Sequence, residues 1–350
     1  MDMAREFGKR SYKPEEIGFV KSGSEGKGGE PWTLLNSKLH KNILLEAYDN
    51  PSTMEDLAIA LGVAVPYMEE AVELLCSETL LEKRNGKYVT PFYIVSRSVQ
   101  QKLYEAIRAE VSDYTRELVA FIEEIHQKNE NPYFGEVDWE DAKWTMLLRY
   151  ADKTSSLAYI RRKPYKNDDG YTSRPHGGAW DLIGFEEYDE EVPFFVGQHG
   201  TFANIHFVQF KIRYKDIYDK TPEQLSVQLG ETLGLVIAGK QTECEAENLR
   251  KLEEHGYLVQ DGELYKPAFV VFKKDCENFA IDTPSIERTI DIRGRHQELT
   301  ESLIVRNAPA GLCEHQLRFA VNTAACNWRG AVLEEAMRIG YISMRHPIVA

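Results

Sequence analysis

The same local pattern occurs twice in this sequence, and this repeat restricts the possible folds more than any other feature does. The strings "RNGKYVTPFYIV" and "VQDGELYKPAFVV" each place a glycine five residues before a proline, Gly86 before Pro91 and Gly262 before Pro267. An Asx-Gly pair next to β-branched and aromatic residues is typical of a β-hairpin. The sequence therefore predicts two similar hairpins, about half a chain apart.

Helical patterns precede both hairpins. Before the first one, apolar residues recur at helical spacing in three short segments, with Ser52 or Thr53 as the expected N-cap of the second segment and Gly62 as its end. The segments are approximately 39–48, 53–61 and 65–77. Three short helices followed by a hairpin form a winged helix-turn-helix, in which the hairpin is the wing.

A shift of 177 residues places the first module on the second. It aligns Val72 with Leu249 and Leu75 with Leu252, and the shift drops to 176 only inside the turn of the hairpin. A repeat of helix spacing, turn glycine and wing proline over about fifty residues is stronger than any single motif. We therefore predict an α+β chain with tandem winged-helix modules.

The remaining segments complete this predicted organisation. Long amphipathic helices are expected at 97–128 and 139–160, a period-two pattern over 177–214 favours an antiparallel sheet, and helical spacing returns over about 285–344. The predicted regions are a flexible N-terminal arm (1–36), a first winged helix (37–96), a helical linker (97–165), a β-rich insert and possible sensor (166–215), a second winged helix (216–274) and a helical C-terminal region (275–350).

Composition restricts the function classes. The net charge is -14 and the isoelectric point is near 5.2, which argues against a protein that holds nucleic acid by bulk electrostatics. No apolar run is long enough for a membrane span, and the N-terminal residues lack the apolar core of a secretory signal. The five cysteines are scattered without a C-x-x-C pair, as expected of reduced thiols in a cytoplasmic protein.

Several strings are similar to a known family. "MAREFGKRSYKPEEI", "GKGGEPWTLL", "LLEAYDNPSTMEDLAIALGVAVPYMEEAVELL" and "RPHGGAWDLIGFE" resemble the long C-terminal extension of some sigma-factor-like regulators of Firmicutes, in the sigma-70 family. The resemblance covers the first hundred residues best. It implies transcription initiation as the context and RNA polymerase or a sigma-type protein as the partner. Because no promoter-reading sigma module is recognisable in this chain, promoter recognition is carried over to none of its residues.

The predicted recognition helices are poorly suited to DNA. The third helix of the first module, "VPYMEEAVELLCSE", holds four glutamates and no basic residue, so it would repel phosphates. The candidate DNA-binding residues are therefore few, and a solvated hairpin tip is the competing interpretation of those on the first wing. They are Lys83, Arg84 and Lys87 on the first wing and Arg250 and Lys251 on the second module.

The string "SRPHGGAWDLIGFE" suggests a small-molecule site. It combines Arg174, His176, Trp180 and Asp181 around a Gly-Gly pair that would allow close backbone approach. The competing interpretation is a tight turn entering a strand whose Trp180 belongs to the core. The two interpretations predict opposite burial for the tryptophan.

Neither a metal site nor a catalytic site is predicted. His199 and His206 could meet in one hairpin, but no third ligand follows at a diagnostic spacing, and Cys313 with His315 is a weak addition. The common nucleotide-binding, protease and hydrolase motifs do not occur. We expect no cofactor and no enzymatic activity.

These inferences favour a non-enzymatic transcription regulator. It would contact RNA polymerase or a sigma-type partner through winged-helix modules and touch DNA only weakly, without a membrane partner. The first alternative is a small-molecule sensor with winged-helix output elements. A hydrolase with a degenerate metal site is the second alternative.

Overall fold

The computed structural model describes residues 17–24, 31–128, 133–161, 172–173, 178–186, 195–202, 205–211, 225–272 and 284–343. The α-helices are α1 Lys38–Asp49, α2 Met54–Leu61, α3 Val65–Ser77, α4 Arg97–Gln127, α5 Trp139–Arg161, α6 Val227–Ile237, α7 Ala246–Glu254, α8 Pro284–Arg306 and α9 Glu314–Arg338. Short 3-10 helices span Pro31–Asn36 and Gln241–Glu243. Among these residues no helix combines the length and apolar character needed to cross a lipid bilayer.

The strands are short, and most form two-stranded pairs. They are β1 Ile17–Ser24, β2 Glu82–Arg84, β3 Lys87–Val89, β4 Tyr93–Val95, β5 Tyr133–Phe134, β6 Thr172–Ser173, β7 Ala179–Glu186, β8 Phe195–Phe202, β9 Ile205–Lys211, β10 Leu258–Asp261, β11 Leu264–Pro267 and β12 Val271–Phe272. The mixture of helices and small sheets confirms the predicted α+β class.

The chain divides into two compact units. The first unit holds residues 1–103, 165–190 and 300–324, and the second holds 104–164, 191–299 and 325–350. Helices α4, α8 and α9 each contribute residues to both units. The predicted β-rich region is divided as well, because β7 belongs to the first unit and the β8–β9 hairpin to the second.

The first module, residues 38–89, has the predicted element order of three helices and a hairpin. Thr53 is the N-cap of α2 and forms a capping box with Asp56, while Gly62 ends the helix with a positive φ of 64°. The end at Gly62 is as predicted, and of the two predicted N-cap candidates, Ser52 and Thr53, the structure has Thr53. The core of this module consists of apolar residues from α1, α2 and α3, with Ile43, Leu57, Met68 and Leu75 among the most buried.

Strand β7 lies at the centre of the sheet in the first unit. It pairs antiparallel with β1 and parallel with β4, and β6 adds a short pairing. Alternate residues of β7 enter different cores: Trp180 and Leu182 pack with the first module, whereas Ile183 packs against α4, α8 and α9 residues of the same unit. This strand is therefore covered on both faces.

Two predictions about these strands need correction. Residues 17–24, assigned to the flexible arm, form β1, because Ile17 and Phe19 supply apolar contacts to β7 and its neighbours. The period-two pattern over 177–214 does not form one antiparallel sheet. In the described residues β8 pairs with β9 alone, and β7 takes its partners from distant parts of the chain.

The second module, residues 227–267, contains α6, a 3-10 turn, α7 and the β10–β11 hairpin. Its core includes Leu229, Leu233, Leu249 and Leu252. The counterpart of α1 would fall at 215–226, most of which lies outside the described residues. The described part repeats the end of the first module in the predicted order.

The two hairpins use their glycines differently. In the first, Arg84 pairs with Lys87, so Asn85 and Gly86 are the turn residues, and both have positive φ as a type I′ turn requires. In the second, Asp261 pairs with Leu264, which makes Gly262 the first turn residue and the only one of its turn with positive φ. The second turn is thus Gly-Glu, one position later than the predicted Asp-Gly.

Helices from both halves of the chain form the larger core of the second unit. The residues of α4, α5, α8 and α9 that belong to this unit bury Tyr114, Trp144, Ile290 and Trp328 against one another. The helices predicted over 97–128, 139–160 and 285–344 are confirmed.

Candidate functional site

The outer face of α3 carries large apolar side chains that lie in solvent. The inner face, with Met68, Val72 and Leu75, is buried in the module. On the other side Tyr67 is 70% exposed and Leu74 is 42% exposed. A spacing of seven residues puts these two on one line along the helix, two turns apart. The sequence predicted the buried apolar face and the glutamates of α3, whereas this second apolar stripe, whose phase differs from that of the buried one, was not predicted.

The charged residues of α2 and α3 themselves are all acidic. Glu69, Glu70 and Glu73 are exposed on α3, and Glu70 lies between Tyr67 and Leu74 on the same line. Helix α2 adds exposed Glu55 and Asp56, and residues 54–78 contain no lysine or arginine. A surface of this charge opposes DNA phosphates and attracts cations.

The basic residues of the β2–β3 hairpin, the predicted first wing, differ in how accessible they are to a ligand. Arg84 donates to the Glu82 carboxylate through Nε and Nη2, at 2.9 and 2.6 Å, and through Nη1 to the Gly311 carbonyl at 2.9 Å. Lys83 lies over the ring of Tyr88, at 5.2 Å from its centroid. Lys87 is exposed at the hairpin tip. Arg84 is thus engaged in internal contacts, which leaves the two lysines as the better phosphate candidates.

The basic residues of the second module mostly have acidic neighbours. Lys251 pairs with Glu247 at 2.7 Å on α7, and this contact lowers the pKa of Glu247. Lys266 on β11 contacts Asp261 and Glu136, whose hydrogen bonds raise the pKa of the lysine. Arg250 is exposed. The positive potential of this module is therefore largely neutralised by its own carboxylates.

A comparison of α3 with α7 separates the buried positions, which the fold needs, from the exposed positions, which differ between the two modules. The shift of 177 residues pairs buried Val72 with Leu249 and buried Leu75 with Leu252, which keeps the core apolar in both copies. On the exposed side it pairs Tyr67 with Cys244, Glu73 with Arg250 and Leu74 with Lys251. The apolar and acidic outer face is specific to the first module.

Trp180 and Asp181, expected in a ligand pocket, take part in internal contacts. Trp180 is fully buried, donates from Nε1 to Thr79 Oγ1 at 2.9 Å and packs edge-to-face on Phe92. Asp181 is buried with Oδ1 at 2.5 Å from His315 Nε2. Burial raises the pKa of the Asp181 carboxyl, and the contact with His315 partly offsets this rise. The competing interpretation of Trp180 as a core residue is the one that its burial supports.

The other two ligand candidates, Arg174 and His176, lie outside the described residues. Of the metal candidates, His206 is paired with Thr201 in the β8–β9 hairpin, and His199 lies at the irregularity between Gln198 and Gly200. Within the described ranges no group of three or more potential metal-ligating side chains comes together.

A buried polar cluster in the second unit was also missed by sequence reasoning. Arg293 of α8 is almost fully buried, with Nε donating to Ser155 Oγ at 2.9 Å and Nη1 donating to His296 Nδ1 at 3.0 Å. Its guanidinium lies 5.4 Å from the ring centroid of Trp328. Burial, followed by the charge of Arg293, lowers the pKa of His296 well below its ordinary value. The signal was present in the helical spacing of Thr289, Arg293 and His296, which puts polar residues on a buried face.

No protein-family model, curated protein or solved structure matches this chain.

Proposed function

We propose that this chain is a non-enzymatic transcription regulator whose winged-helix modules contact RNA polymerase or a sigma-type protein more than they contact DNA. The transcription context rests on the resemblance of the first hundred residues to the C-terminal extension of sigma-factor-like regulators. The preference for a protein partner rests on the surface of the first module.

The observation that carries the proposal is the acidity of α2 and α3. In a DNA-reading helix-turn-helix the corresponding helix presents arginine, lysine, asparagine or glutamine to base edges and phosphates. Here it presents Glu69, Glu70 and Glu73 together with Tyr67 and Leu74. Exposed aromatic and aliphatic residues within a charged rim are typical of protein–protein contacts.

The basic residues of the first wing also favour a protein partner over DNA, although less strongly than the acidity of α2 and α3 does. Lys83 and Lys87 could neutralise phosphates, whereas Arg84 is held by Glu82 and the Gly311 carbonyl. Two lysines on a chain with a net charge of -14 give little counterion release. DNA contact is therefore proposed as weak, non-specific and confined to the first wing.

The sensor alternative receives less support. Trp180 and Asp181 would have to line a pocket, but the indole is inside the core and the carboxylate is against His315. Neither group is presented to a ligand in this arrangement.

DNA binding can be tested by fluorescence anisotropy with a labelled duplex at several salt concentrations. We expect weak binding that disappears steeply as salt rises, and its complete loss in a variant with Lys83→Glu, Arg84→Glu and Lys87→Glu. High-affinity, sequence-specific binding at physiological salt would contradict the proposal.

Partner binding can be tested with purified RNA polymerase core enzyme, holoenzyme and free sigma factor of a Firmicute, captured on a biosensor. We expect binding that Glu70→Lys with Glu73→Lys weakens strongly. The matched control is Glu254→Lys with Glu263→Lys on the second module, which makes the same charge change on exposed residues and should leave binding intact. Lack of binding to all three proteins would refute the proposed partner class.

A further inference from the structure

We infer that the outer face of α3, formed by Tyr67, Glu70 and Leu74 and bordered by Glu69 and Glu73, is the docking surface for a basic amphipathic α-helix of a partner protein. This inference rests on the proposed function and deepens it, because it names the surface and the kind of segment that binds there.

The first argument for a docking surface is its exposed apolar side chains. Tyr67 is the most exposed of the large apolar residues in the described chain, and Leu74 is exposed on the same line of the helix. Tyrosine is among the residues that contribute most when they are buried at interfaces, since its ring adds a large contact area with little rotamer entropy. Ile59 and Val65, elsewhere on the α2–α3 hairpin, are also exposed and extend the apolar surface of this module.

The spacing of the stripe suits a helical partner. Tyr67 and Leu74 are separated by roughly 10 Å along the axis, the rise of two helical turns. A partner helix that crosses α3 presents apolar residues at i, i+3, i+4 and i+7, which span the same distance. An extended peptide would instead require an open sheet edge with unpaired backbone groups, which a helix surface does not offer.

Charge complementarity defines the rest of the partner. Three carboxylates surround the apolar stripe, and α2–α3 offer no cation to balance them. Lysine and arginine on either side of the partner's apolar stripe would meet these carboxylates at the rim of the interface, where they set specificity and association rate. An acidic or neutral helix would leave them without compensation.

A second copy of this chain is a poor occupant. In a two-fold symmetric dimer the same patch meets itself, so Glu69, Glu70 and Glu73 would face their own equivalents. Like charges placed opposite each other oppose association. A membrane surface with anionic lipids is disfavoured for the same reason.

The fold does not require this surface. The second module keeps the buried leucines Leu249 and Leu252 of α7 but has Cys244, Arg250 and Lys251 at the positions of Tyr67, Glu73 and Leu74. An apolar acidic stripe is therefore dispensable for a module of this shape. Its presence in one copy alone indicates a role outside folding.

The test uses synthetic helical peptides as probes and the full chain as the receptor, with binding followed by fluorescence anisotropy. One peptide has leucine at i, i+3, i+4 and i+7 with lysine and arginine on its other faces. The second has the same composition in scrambled order, and the third has glutamate in place of the basic residues. We expect the first to bind and the other two to bind at least about tenfold more weakly.

Two double variants locate the site. Tyr67→Ser with Leu74→Ser should weaken the first peptide at least about tenfold, because it removes the apolar contact while the exposed positions leave folding intact. The matched control, Val227→Ser with Leu264→Ser, removes exposed apolar residues of the second module and should have no effect. Circular dichroism and melting temperature verify that both variants fold as the parent does.

Three results would overturn the inference. The scrambled peptide could bind as tightly as the first peptide, or the first peptide could bind the Tyr67 and Leu74 variant as tightly as the parent. The third is that the chain forms a concentration-dependent dimer that this variant abolishes. The same variant also separates this inference from the proposed function. If RNA polymerase or sigma factor binds the variant as well as the parent, the proposed function stands and the α3 surface is not the docking site.

Discussion

His315 at the start of α9 holds the buried carboxylate of Asp181 on β7, with 2.5 Å between Nε2 and Oδ1. Because Asp181 alternates with Trp180 and Leu182, it lies on the face of β7 opposite the first module's core. The pair therefore fastens α9 to the central strand within the first unit. Burial of the carboxylate makes this contact a structural one, since a buried charge without its partner is costly.

We expect His315→Ala to lower the free energy of unfolding by roughly 1–3 kcal/mol at neutral pH, the cost of leaving a buried polar group without its partner. Urea denaturation followed by tryptophan fluorescence measures this loss, since Trp180 lies next to Asp181. The pKa of Asp181 is already raised by burial and rises further without His315. A raised native pKa favours folding as pH falls, so the loss should shrink from neutral pH towards the ordinary aspartate value. In the double variant with Asp181→Asn this pH dependence should disappear.

Gly135 is expected to tolerate substitution far less than Gly262 does. Its φ is 131°, and a Cβ atom there would lie 2.1 Å from the Phe269 carbonyl oxygen. Gly135→Ala should therefore force apart the β5–β12 pairing and destabilise the second unit by about 2 kcal/mol or more. Gly262→Ala is the control, because Gly262 also has positive φ but faces open space, and about 1 kcal/mol is expected there. Equal losses in urea denaturation would contradict the clash.

Arg84 and Lys87 lie on the same β2–β3 hairpin, but their substitutions are expected to differ in their effect on stability. Arg84→Ala removes hydrogen bonds to Glu82 and to the Gly311 carbonyl, and about 1 kcal/mol should be lost from the first unit, since the side chain is partly exposed. Lys87→Ala should change stability by no more than about 0.5 kcal/mol. Denaturation curves of the two variants give this comparison directly. Similar losses of stability for both variants would mean that the Gly311 contact does not stabilise the hairpin.

The local features of the fold followed from the sequence because their causes are local. The end of α2 at Gly62 and the two-residue turn at Asn85 and Gly86 each depend on a few neighbouring residues, and the same is true of the N-cap, for which the sequence offered Ser52 or Thr53. The hairpin repeat at a shift of about 177 residues was predictable for the same reason. Each copy contains its own helix and turn signals.

The sheet of the first unit was not predictable in this way. Its central strand β7 pairs with β1 and β4, which lie about 160 and 90 residues earlier in the chain, and neither pairing has a local signature. The alternation in β7 predicted a strand but not its neighbours. Residues 17–24 were assigned to the arm because mixed charges precede them and a glycine- and serine-rich stretch begins at Ser22, and only the contact of Ile17 and Phe19 with the rest of the sheet explains why they are a strand.

The sequence predicted the charge of the candidate surfaces but not which of their side chains are exposed. The glutamates of α3 were evident in the sequence, whereas the exposure of Tyr67 and Leu74 became clear only once the buried face of α3 was known. Trp180 shows the converse: a tryptophan beside glycines and a carboxylate suggested a pocket, but burial with a hydrogen bond to Thr79 makes it a core residue. Sequence patterns identify chemical types, and the packing decides which of them meet solvent.

His296 should make the stability of the second unit fall at acidic pH. Arginine can only donate, so the hydrogen bond from Arg293 requires His296 Nδ1 to accept, and the neutral imidazole carries its proton on Nε2. Burial of the imidazole is the main reason why the pKa of His296 is held low, and the positive charge of the neighbouring Arg293 lowers it further. The unfolded chain still binds this proton near pH 6.5, so stability is complete above that pH and is lost as pH falls below it.

His296→Gln provides the test of this dependence. The glutamine side chain can still accept a hydrogen bond from Arg293 but does not titrate, so the variant should lose less stability than the parent between pH 7 and pH 5. Urea denaturation across this range, with tryptophan fluorescence from Trp144 and Trp328 of the second unit, gives the two slopes. His255→Gln is the matched control, because it makes the same substitution at a histidine that is far less buried. Its unfolding free energy should change with pH as that of the parent does. If His296→Gln and the parent have equal slopes, the buried histidine is not the group that makes this unit sensitive to acid.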